Sequence, residues 1–479
     1  MWLSAKPSFF ILFLLCIAAL LAPMILRQDY EEASFMGSDS YSSLRIAQYI
    51  HENGRLPTED SLSYGGRPYA GEYGWPILLS IHPQILAKWL PFIFGILSFI
   101  LFYLIVNRHN KNMRGMASLF LILSPAFIYT FSTPLKYGIS IFLALLGIYL
   151  KIKNKDMASN IVLGLIGFFS ILTLLMAMLI YLIYSRKTKE YNSLSIVALF
   201  FLVSFLLQFY RLIYLGLPEA FFWPGEISLI KLVNITFSDF GSITGLSLLA
   251  FVTALLGAYS IWKAKYKFIF YFILLFILIS LSLYFSFIIS YLAFIIALLA
   301  AYGFKSLLER EWRSEAFRHL TLLVIICGVF FSSIVFAKEV TEIEPSRGFT
   351  EAFAFLKSQE QNTMVFSHYS RGEYIAYAGR VNFIDENPFY ASNVELRILD
   401  SNRLIHAKNI NTATSIINKY NIKYIWLDRK LIEELWGRNE LELIFLLRYS
   451  PNNFKKIFDN GDVEIYEYVK TLGGKYTNV

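Results

Sequence analysis

The sequence predicts a polytopic α-helical membrane protein that carries a C-terminal α/β domain outside the cytoplasm. Three observations support this prediction. First, 56% of the 479 residues are hydrophobic and only 16% are charged, whereas about 25% of the residues of an ordinary soluble domain are charged. Second, the apolar residues form long runs that approach the ~20 residues needed to cross a bilayer. Third, these runs stop at residue 337, and charged and polar residues become common after it.

Long apolar runs predict the membrane helices of a domain that extends over residues 1–337. Six runs suffice for one crossing each, some after a short extension: 8–27, 83–106, 116–133, 192–216, 244–262 and 320–337. The uncharged run 268–304 is too long for one crossing and predicts two helices with a turn near 285–290. With a further helix at 137–150 and a short hairpin, we expect about 11–13 membrane helices. The first run should remain as an anchor, because it is too long for the apolar core of a signal peptide.

Basic residues in short loops indicate how the helices are oriented. The net charge is +8, and the excess lies between the membrane helices rather than in the C-terminal part. Clusters of lysine and arginine occur at 108–114, 151–155, 186–189, 263–267 and 305–318. Such clusters are typical of cytoplasmic loops, which places the long loops 28–82 and 217–243 and the domain 338–479 outside. Since the membrane explains the charge, we expect no nucleic-acid partner.

The run 157–184 lies between two basic clusters that both belong on the cytoplasmic side. A single crossing would separate them, so we predict two short helices that meet near 168–171 in a partly inserted hairpin. Such a hairpin is tolerated only where its turn is buried in protein or lines a wet cavity. All long loops then lie on one face. A transporter would more often show repeated halves and ionisable residues at the midplane, so we favour chemistry at the outer surface.

The C-terminal part alternates helical and strand patterns and predicts a small α/β domain. Helices are expected at 348–356, 370–377 and 413–419, and strands at 364–366, 381–384 and 423–427. The short strands that flank Asn460-Gly461 predict a hairpin, since Asn-Gly is a strong signal for a two-residue turn. The domain has neither a glycine-rich nucleotide motif nor a nucleophile-elbow motif, so we expect no catalysis by it alone.

The first outer loop contains an acid at the start of a predicted helix. Apolar residues recur at helical spacing from Tyr41 to Ile50, so residues 40–53 are expected to form an amphipathic helix at the membrane interface. Asp39 falls at the N-cap of that helix, where an aspartate stabilises by about 1 kcal/mol. The residues alone leave two roles open for Asp39, capping and chemistry.

Six segments of this loop carry a family resemblance: GSDS at 37–40, LRIAQYI at 44–50, ENGRLP at 52–57, DSLSY at 60–64, GRP at 66–68 and GWP at 74–76. They resemble the catalytic subunit of archaeal and eukaryotic oligosaccharyltransferases, which belong to the C-type glycosyltransferase superfamily. The resemblance implies that Asp39 is catalytic and helps to hold Mg²⁺ or Mn²⁺ beside the diphosphate of a polyprenyl-linked glycan, such as a dolichyl-linked one. A hard cation on oxygen ligands would neutralise the anion that is released when the sugar leaves.

The resemblance also points to further candidate residues. The second outer loop has WPGE at 223–226 followed by DFG at 239–241, a layout similar to the motif in which a glutamate holds the acceptor amide. Glu226 is therefore a candidate catalytic residue, although a plain loop carboxylate would look the same. Five basic residues are candidates for binding the donor phosphate or sugar, with solvated side chains as the alternative: Arg45, Arg67, Lys136, His368 and Arg371.

Two segments depart from the family pattern. The loop TPLKYG at 133–138 has no counterpart of the family's second acidic pair, so Lys136 would supply positive charge near a phosphate instead. HYSRG at 368–372 stands where the family has WWDYG, which reads the acceptor's Ser or Thr. Specificity for Asn-x-Ser/Thr is therefore not implied.

The expected function is transfer of a glycan or sugar from a polyprenyl-phosphate or polyprenyl-diphosphate donor to a protein or lipid acceptor at the outer face of the cell membrane. One alternative is a transferase that uses a polyprenyl-phosphate monosaccharide and acts on a hydroxyl of a lipid, glycan or protein. The missing acidic pair favours it, because a monophosphate donor can be handled without a metal bound to a diphosphate. The other alternative is a relative without catalysis that scaffolds a surface-glycan complex.

Overall fold

The computed structural model describes residues 8–69, 71–178, 192–216, 236–242, 244–262, 265–437 and 441–470. The chain divides into two compact units. The first, hereafter the helical unit, comprises Met1–Gln28, Glu72–Gln208 and Glu226–Ile343. The second, hereafter the α/β unit, comprises Asp29–Gly71, Phe209–Gly225 and Glu344–Val479. The loop that follows the first helix therefore folds with the C-terminal part.

Helices account for most of the described chain up to residue 339. They are α1 (Ser8–Leu26), α2 (Ser38–Asn53), α3 (Gly74–Ser80), α4 (Pro83–His109), α5 (Arg114–Ile122), α6 (Pro125–Ser132), α7 (Lys136–Ile152), α8 (Asp156–Leu165), α9 (171–178), α10 (Asn192–Leu215), α11 (Leu248–Trp262), α12 (Lys265–Ser282), α13 (Ile288–Glu309) and α14 (Glu315–Glu339). Two short strands, β1 (Glu59–Asp60) and β2 (Arg67–Pro68), pair antiparallel in the first loop.

Four of the described helices are long and apolar enough to cross a membrane. They are Phe9–Leu26, Pro83–His109, Ile288–Glu309 and Glu315–Glu339. The bent pair α5 and α6 would make a fifth span, and there are shorter apolar helices at Asp156–Phe168, Val197–Leu207, Leu248–Trp262 and Phe268–Ser282. A polytopic helical membrane protein is therefore confirmed, while the total of about 11–13 membrane helices stays a prediction.

Three of the long apolar runs are broken into two helices. Two of these breaks were predicted from the sequence, and the third was not. Helices α12 and α13 are separate, close to the predicted turn, and α8 and α9 are separated by residues 166–170, which overlap the predicted meeting point at 168–171. The prediction of one helix over 116–133 is wrong, because the chain bends by 64° between α5 and α6. Pro125 begins α6 and Ser124 is extended, since proline lacks an N–H and disfavours a helical residue before it.

The turn between α8 and α9 packs against the start of α3. A Cβ atom at Gly74 would lie 2.2 Å from the carbonyl oxygen of Phe168, so glycine is needed at this close approach. The N–H of Ile171 donates a hydrogen bond to Glu72 Oε1 at 3.1 Å, and Ser170 is 2% exposed. The turn is thus buried in protein, which is the condition for such a break at membrane depth.

The α/β unit contains a five-stranded sheet. Its remaining elements are α15 (Gly348–Ser358), β3 (Met364–Phe366), α16 (Gly372–Tyr377), β4 (Val381–Asn382), α17 (Val394–Ile405), α18 (Ile410–Tyr420), β5 (Ile422–Asp428), α19 (Arg429–Trp436), α20 (Glu442–Tyr449), β6 (Phe454–Asp459) and β7 (Val463–Tyr468). The strand order is β4-β3-β5-β7-β6; β4, β3 and β5 run parallel, and β7 and β6 pair antiparallel. The predicted hairpin is confirmed, whereas α17, α19 and α20 were not predicted.

Aromatic side chains attach α2 of the first loop to the core of the α/β unit. Tyr41 is fully buried, and its ring centroid lies 5.2 Å from that of Tyr374 and 4.9 Å from that of Tyr377. The Phe353 ring lies 6.0 Å from Tyr41 and 5.6 Å from Tyr377. Tilted and edge-to-face pairs of this kind stabilise beyond their burial by about 0.5–1.5 kcal/mol each. They fix the helix that carries Asp39.

Candidate functional site

Asp39 is an exposed residue in the first turn of α2. The helix begins at Ser38, earlier than predicted, because Gly37 adopts a φ of 76° and forms the N-cap, a conformation that glycine allows. The predicted N-cap position of Asp39 is therefore wrong, and no side chain caps the helix. Ser40 Oγ instead donates to the backbone oxygen of Met36 at 2.7 Å. The helix dipole favours a carboxylate here, but capping does not account for Asp39.

Glu386 follows β4 and meets the same end of α2. Ser38 Oγ donates a hydrogen bond to Glu386 Oε2 at 2.5 Å. Desolvation raises the pKa of Glu386 to about 7, and the carboxylates of Asp39 and Asp385 contribute to the rise, although the residue is exposed to water. A carboxyl group that titrates near neutral pH beside a second carboxylate is typical of acid–base sites. The sequence marks Glu386 only as an acid in a turn.

Asp385 holds the first loop onto the turn after β4. It is fully buried and accepts hydrogen bonds from Ser63 Oγ and, at 3.1 Å, from Asn382 Nδ2. Arg67 Nη2 lies 3.6 Å from Asp385 Oδ1. Because Asp385 and Glu386 are neighbours in the chain, these contacts also fix the position of Glu386 relative to the loop.

Arg45 joins α2 to two buried carboxyl groups. Its Nη1 and Nη2 lie 2.6 and 2.8 Å from the carboxylate oxygens of Asp60, and Nη2 lies 3.4 Å from Glu373 Oε2. Burial alone would raise the pKa of Asp60, but Arg45 and then Arg67 hold it below its ordinary value. Burial raises the pKa of Glu373 to about 8, and the charge of Asp385 adds to this rise. Glu373 is therefore mostly protonated at neutral pH.

The structure gives Arg45 and Arg67 partners within the protein. Their side chains are 11% and 6% exposed, and each pairs with a carboxylate. Arg67 Nη1 also donates to the backbone oxygens of Asn387 and Phe389. Both arginines therefore hold the loop in place, and their predicted role in binding a donor phosphate stays a prediction.

His368 and Arg371 follow β3, at the carboxyl end of the parallel strands. Arg371 is 4% exposed; its Nε lies 2.6 Å from Asp428 Oδ2 and its Nη2 lies 2.5 Å from Glu344 Oε1. His368 Nδ1 lies 2.7 Å from Ser370 Oγ. Burial, and then the charge of Arg371, lower the pKa of His368 to about 4, so its imidazole is neutral at pH 7. The phosphate-binding role of both residues stays a prediction.

Lys136 forms an ion pair with Glu72 in the helical unit. Lys136 is the first residue of α7, where the helix dipole disfavours a cation and makes an acidic partner valuable. Glu72 also accepts the N–H of Ile171, so one carboxylate serves the starts of two helices. Glu72 was not among the candidate residues predicted from the sequence. The available signal was an acid near the end of the first outer loop, 28–82, just before the GWP segment at 74–76.

Glu226 lies outside the described residues, so its catalytic role stays a prediction. The described segment 236–242 contains Asp239, whose Oδ2 accepts the N–H of Leu248 at 2.7 Å and whose Oδ1 accepts Ser332 Oγ at 2.6 Å. Asp239 therefore anchors the start of α11 to α14.

The predicted metal site has few protein ligands. In the described ranges, no group of three or more His, Cys, Asp or Glu side chains could hold a metal ion. In phosphate sites, however, Mg²⁺ often takes one or two carboxylates and completes its shell with water and substrate oxygens. Asp39 could supply the one protein carboxylate of such a site, whereas a preformed protein cage does not fit.

Solved structures resemble this chain, although two comparisons of its sequence found no match. No protein-family model and no curated protein matches the sequence. The oligosaccharyltransferase of Archaeoglobus fulgidus in its apo form is 14% identical, with a TM-score of 0.58 over 90% of this chain and 70% of that one. The enzyme in complex with an inhibitory peptide and a dolichol-phosphate is also 14% identical, with a TM-score of 0.55 over 99% and 76% of the two chains. ArnT from Cupriavidus metallidurans bound to undecaprenyl phosphate is 12% identical, with a TM-score of 0.53 over 98% of this chain and 100% of that one.

These similarities identify the class of fold. The chain has the fold of the C-type membrane glycosyltransferases. Within that class it is similar both to an archaeal oligosaccharyltransferase and to ArnT. The resemblance inferred from the first outer loop is thereby confirmed at the level of fold, and identities of 12–14% leave the reaction to be argued from the residues.

Proposed function

We propose that the protein transfers a glycan or a single sugar from a polyprenyl-phosphate or polyprenyl-diphosphate donor to an acceptor at the outer face of the cell membrane. The observation that carries this proposal is the meeting of Asp39 and Glu386 in a chain with the C-type glycosyltransferase fold. Two carboxyl groups in one place, one of them with a pKa near 7, can divide the work of charge stabilisation and proton transfer.

The chemistry assigns a different step to each acid. The bond between the anomeric carbon and the phosphate oxygen breaks, and the phosphate leaves with the electron pair. An acceptor oxygen or nitrogen forms the new bond to the anomeric carbon and gives its proton to Glu386. Asp39 would hold Mg²⁺ or Mn²⁺, which, when bound, neutralises charge on the leaving phosphate.

The helical unit offers a place for the lipid part of the donor. A cavity of about 230 Å³ lies between α7, α8, α9, α12 and α13, and most of its lining is apolar. Thr173 and Tyr291 line it and meet at 2.6 Å between Oγ1 and the phenol oxygen. Thr173 lies two residues after Ile171, whose N–H donates a hydrogen bond to Glu72. Glu72 is also the partner of Lys136 in an ion pair. An apolar cavity with few polar groups suits a prenyl chain, and the similar proteins were solved with dolichol-phosphate and undecaprenyl phosphate.

A single-sugar donor is the second candidate. The segment 133–138 contains Lys136 and has no acid. This composition favours a monophosphate donor, because such a donor requires less metal binding than a diphosphate donor. The similarity to ArnT also extends over 100% of that chain, against 70% of the apo oligosaccharyltransferase. Comparison of polyprenyl-phosphate and polyprenyl-diphosphate sugars as donors for the purified protein distinguishes the two candidates.

The experiment that tests the proposal is the substitution Asp39→Asn. Since Asp39 makes no capping hydrogen bond, the variant should accumulate and unfold like wild type. Loss of one electrostatic contact to a developing charge lowers turnover by about 100-fold or more. We expect that loss in a sugar-transfer assay of the full-length protein in nanodiscs. Glu52→Gln, which removes an exposed acid at the other end of α2, is the matched control and should retain activity.

Full activity of Asp39→Asn would show that the proposed site is wrong. A wild-type protein that transfers no sugar from either class of donor, yet recovers a glycan complex from membranes, would favour the scaffold instead. The first result concerns the residue, and the second concerns the whole function.

A further inference from the structure

A polar cleft in the α/β unit is separate from the proposed catalytic site. It has a volume of about 670 Å³ and is lined by Met364, Val381 and Ile422, the first residues of β3, β4 and β5. These three strands run parallel, so the cleft lies at their amino ends. Asp385 and Glu386 follow the carboxyl end of β4. The cleft and the two acids are therefore at opposite edges of the sheet.

The lining of the cleft is rich in neutral polar groups. Side chains that could meet a ligand include Ser61, Asn362, Asn418, Tyr420, Asn421 and Tyr468. An amide both donates and accepts hydrogen bonds, and a tyrosine presents an apolar ring face together with a hydroxyl group. The charge of Lys423 is compensated, because its Nζ lies 2.8 Å from Glu360 Oε2. Lys470 also lines the cleft, so the lining is mainly neutral and polar and carries one further positive charge.

Two of the amides retain free hydrogen-bonding capacity. Asn362 and Asn421 have φ values of 60° and 55°, and Asn421 forms the C-cap of α18. Within the described part of the chain, neither side-chain amide bonds to another residue. Asn418, by contrast, donates from Nδ2 to the hydroxyl of Tyr468 at 3.3 Å. Asparagine is common at positive φ, so the backbone explains the residue type but not the gathering of these amides around one cleft.

We propose that this cleft binds a short saccharide. Sugar hydroxyl groups donate and accept, as amides do, and a pyranose ring has an apolar C–H face that can lie on a tyrosine ring. The volume falls within the range of about 300–1,000 Å³ that is usual for small-molecule sites. Binding here requires no bond to be broken and neither Asp39 nor Glu386. The cleft is therefore a carbohydrate-binding site that is separate from the proposed transfer reaction.

The test uses the full-length protein in nanodiscs and four disaccharide probes: maltose, cellobiose, mannobiose and N,N′-diacetylchitobiose. Saturation-transfer NMR measures binding to wild type and to the double variant Asn362→Gly, Asn421→Gly. Glycine accepts the positive φ at both positions, so the variant removes the amides and leaves the backbone unstrained. Asn393→Gly is the matched control, since Asn393 has a φ of 53° in the same unit and does not line the cleft.

We expect wild type and Asn393→Gly to bind at least one probe, and the double variant to bind it at least about tenfold more weakly, as the loss of two hydrogen bonds implies. Asp39→Asn should bind the probe like wild type, which separates this site from the catalytic one. Absence of binding to all four probes by wild type overturns the proposal. Equal affinity of wild type and the double variant overturns it as well.

Discussion

Glu386 is the residue at which protonation would control the proposed reaction. Desolvation and the neighbouring carboxylates of Asp39 and Asp385 raise its pKa to about 7, so the carboxyl group becomes protonated as the pH falls below that value. A protonated carboxyl group cannot accept the acceptor's proton. We predict that kcat/KM falls as the pH falls through about 7, and that Glu386→Gln lowers turnover by about 100-fold or more and removes this acidic limb. The pH profile of sugar transfer measures both effects.

Glu395→Gln provides the control for this experiment. Glu395 is an exposed acid in the first turn of α17, in the same unit, and its substitution should leave the profile unchanged. A Glu386→Gln variant that keeps the acidic limb would assign the titration to another group.

Glu373 makes the stability of the α/β unit depend on pH. Burial raises its pKa from 4.5 to about 8 on folding, so the folded state binds the proton more tightly than the unfolded state. The resulting stabilisation is fully present below pH 4.5 and is lost as the pH rises through about 8. Glu373→Gln keeps a neutral side chain at every pH. We predict that it melts at a higher temperature than wild type at about pH 9, and that the difference shrinks toward about pH 5.

Thermal unfolding of the detergent-solubilised protein over a series of pH values measures this difference. Glu395→Gln should follow the wild-type curve at every pH, because Glu395 is an exposed residue in the first turn of α17 and lies outside the buried cluster around Glu373. If the gap between Glu373→Gln and wild type were constant with pH, the Glu373 carboxyl group would not be the titrating group.

At the scale of elements, the turn between α8 and α9 depends on one glycine of α3. A Cβ atom at Gly74 would meet the backbone oxygen of Phe168 at 2.2 Å, and backbone cannot yield as a flexible side chain does. We predict that Gly74→Ala destabilises the helical unit by about 1–3 kcal/mol, measured by thermal unfolding in detergent. Gly115→Ala in α5 meets no atom within 4 Å and should be neutral or slightly stabilising. Equal melting temperatures for the two variants would contradict this packing.

The elements that sequence predicts best are those with a strong local signal. The break at 168–171 follows from the charges on either side of the run, and the hairpin of β6 and β7 follows from Asn460-Gly461. The bend at Pro125 had a local signal too, although the length of the apolar run outweighed it in the prediction. Helices α17, α19 and α20 are short, with 12, 8 and 8 residues, and helices of this length depend on tertiary packing more than on local propensity.

The contacts of the candidate site had no local signal. Ser38 and Glu386 are separated by 348 positions in the chain, and the ion pair of Lys136 with Glu72 also joins separate segments. Asp39 was found through the family resemblance of its loop, whereas Glu386 and Glu72 were not found. The roles of Glu386 and Glu72 depend on which distant segments of the chain contact each other in the folded protein. Composition and periodicity do not contain that information.

At the scale of the whole molecule, the first loop and the C-terminal segment fold as one unit around shared contacts. Tyr41 packs into its aromatic core, and Arg45 and Ser63 bond to acids that are buried within it. Two segments that fold together must lie on the same side of a membrane. The side of the membrane on which the α/β unit lies therefore applies to both segments, and cysteine labelling can determine it.

We predict that this unit faces the outside of the cell and that the loop between α4 and α5 faces the cytoplasm. The native residues Cys16 and Cys327 are first replaced by serine, and single cysteines are then introduced at Ser61, Ser392 and Asn110. A membrane-impermeant maleimide applied to intact cells should label positions 61 and 392 and leave position 110 unlabelled. After permeabilisation, position 110 should be labelled as well, which shows that its cysteine is reactive.

The pattern of labelling tests each step of the topology argument. The basic cluster at 108–114 predicts the cytoplasmic position of Asn110, and an odd number of crossings by α1 places Ser61 on the opposite side from the N-terminus. Ser392 lies on the same side of the membrane as Ser61 only if the helices between them cross the membrane an even number of times. The number is even only if the run 157–184 forms a hairpin and does not cross the membrane once. Labelling of Asn110 without Ser61 and Ser392 would invert the protein and move the proposed acceptor to the cytoplasm. Labelling of Ser61 without Ser392 would contradict the common fold of the two segments, and with it the meeting of Asp39 and Glu386 on which the proposed reaction depends.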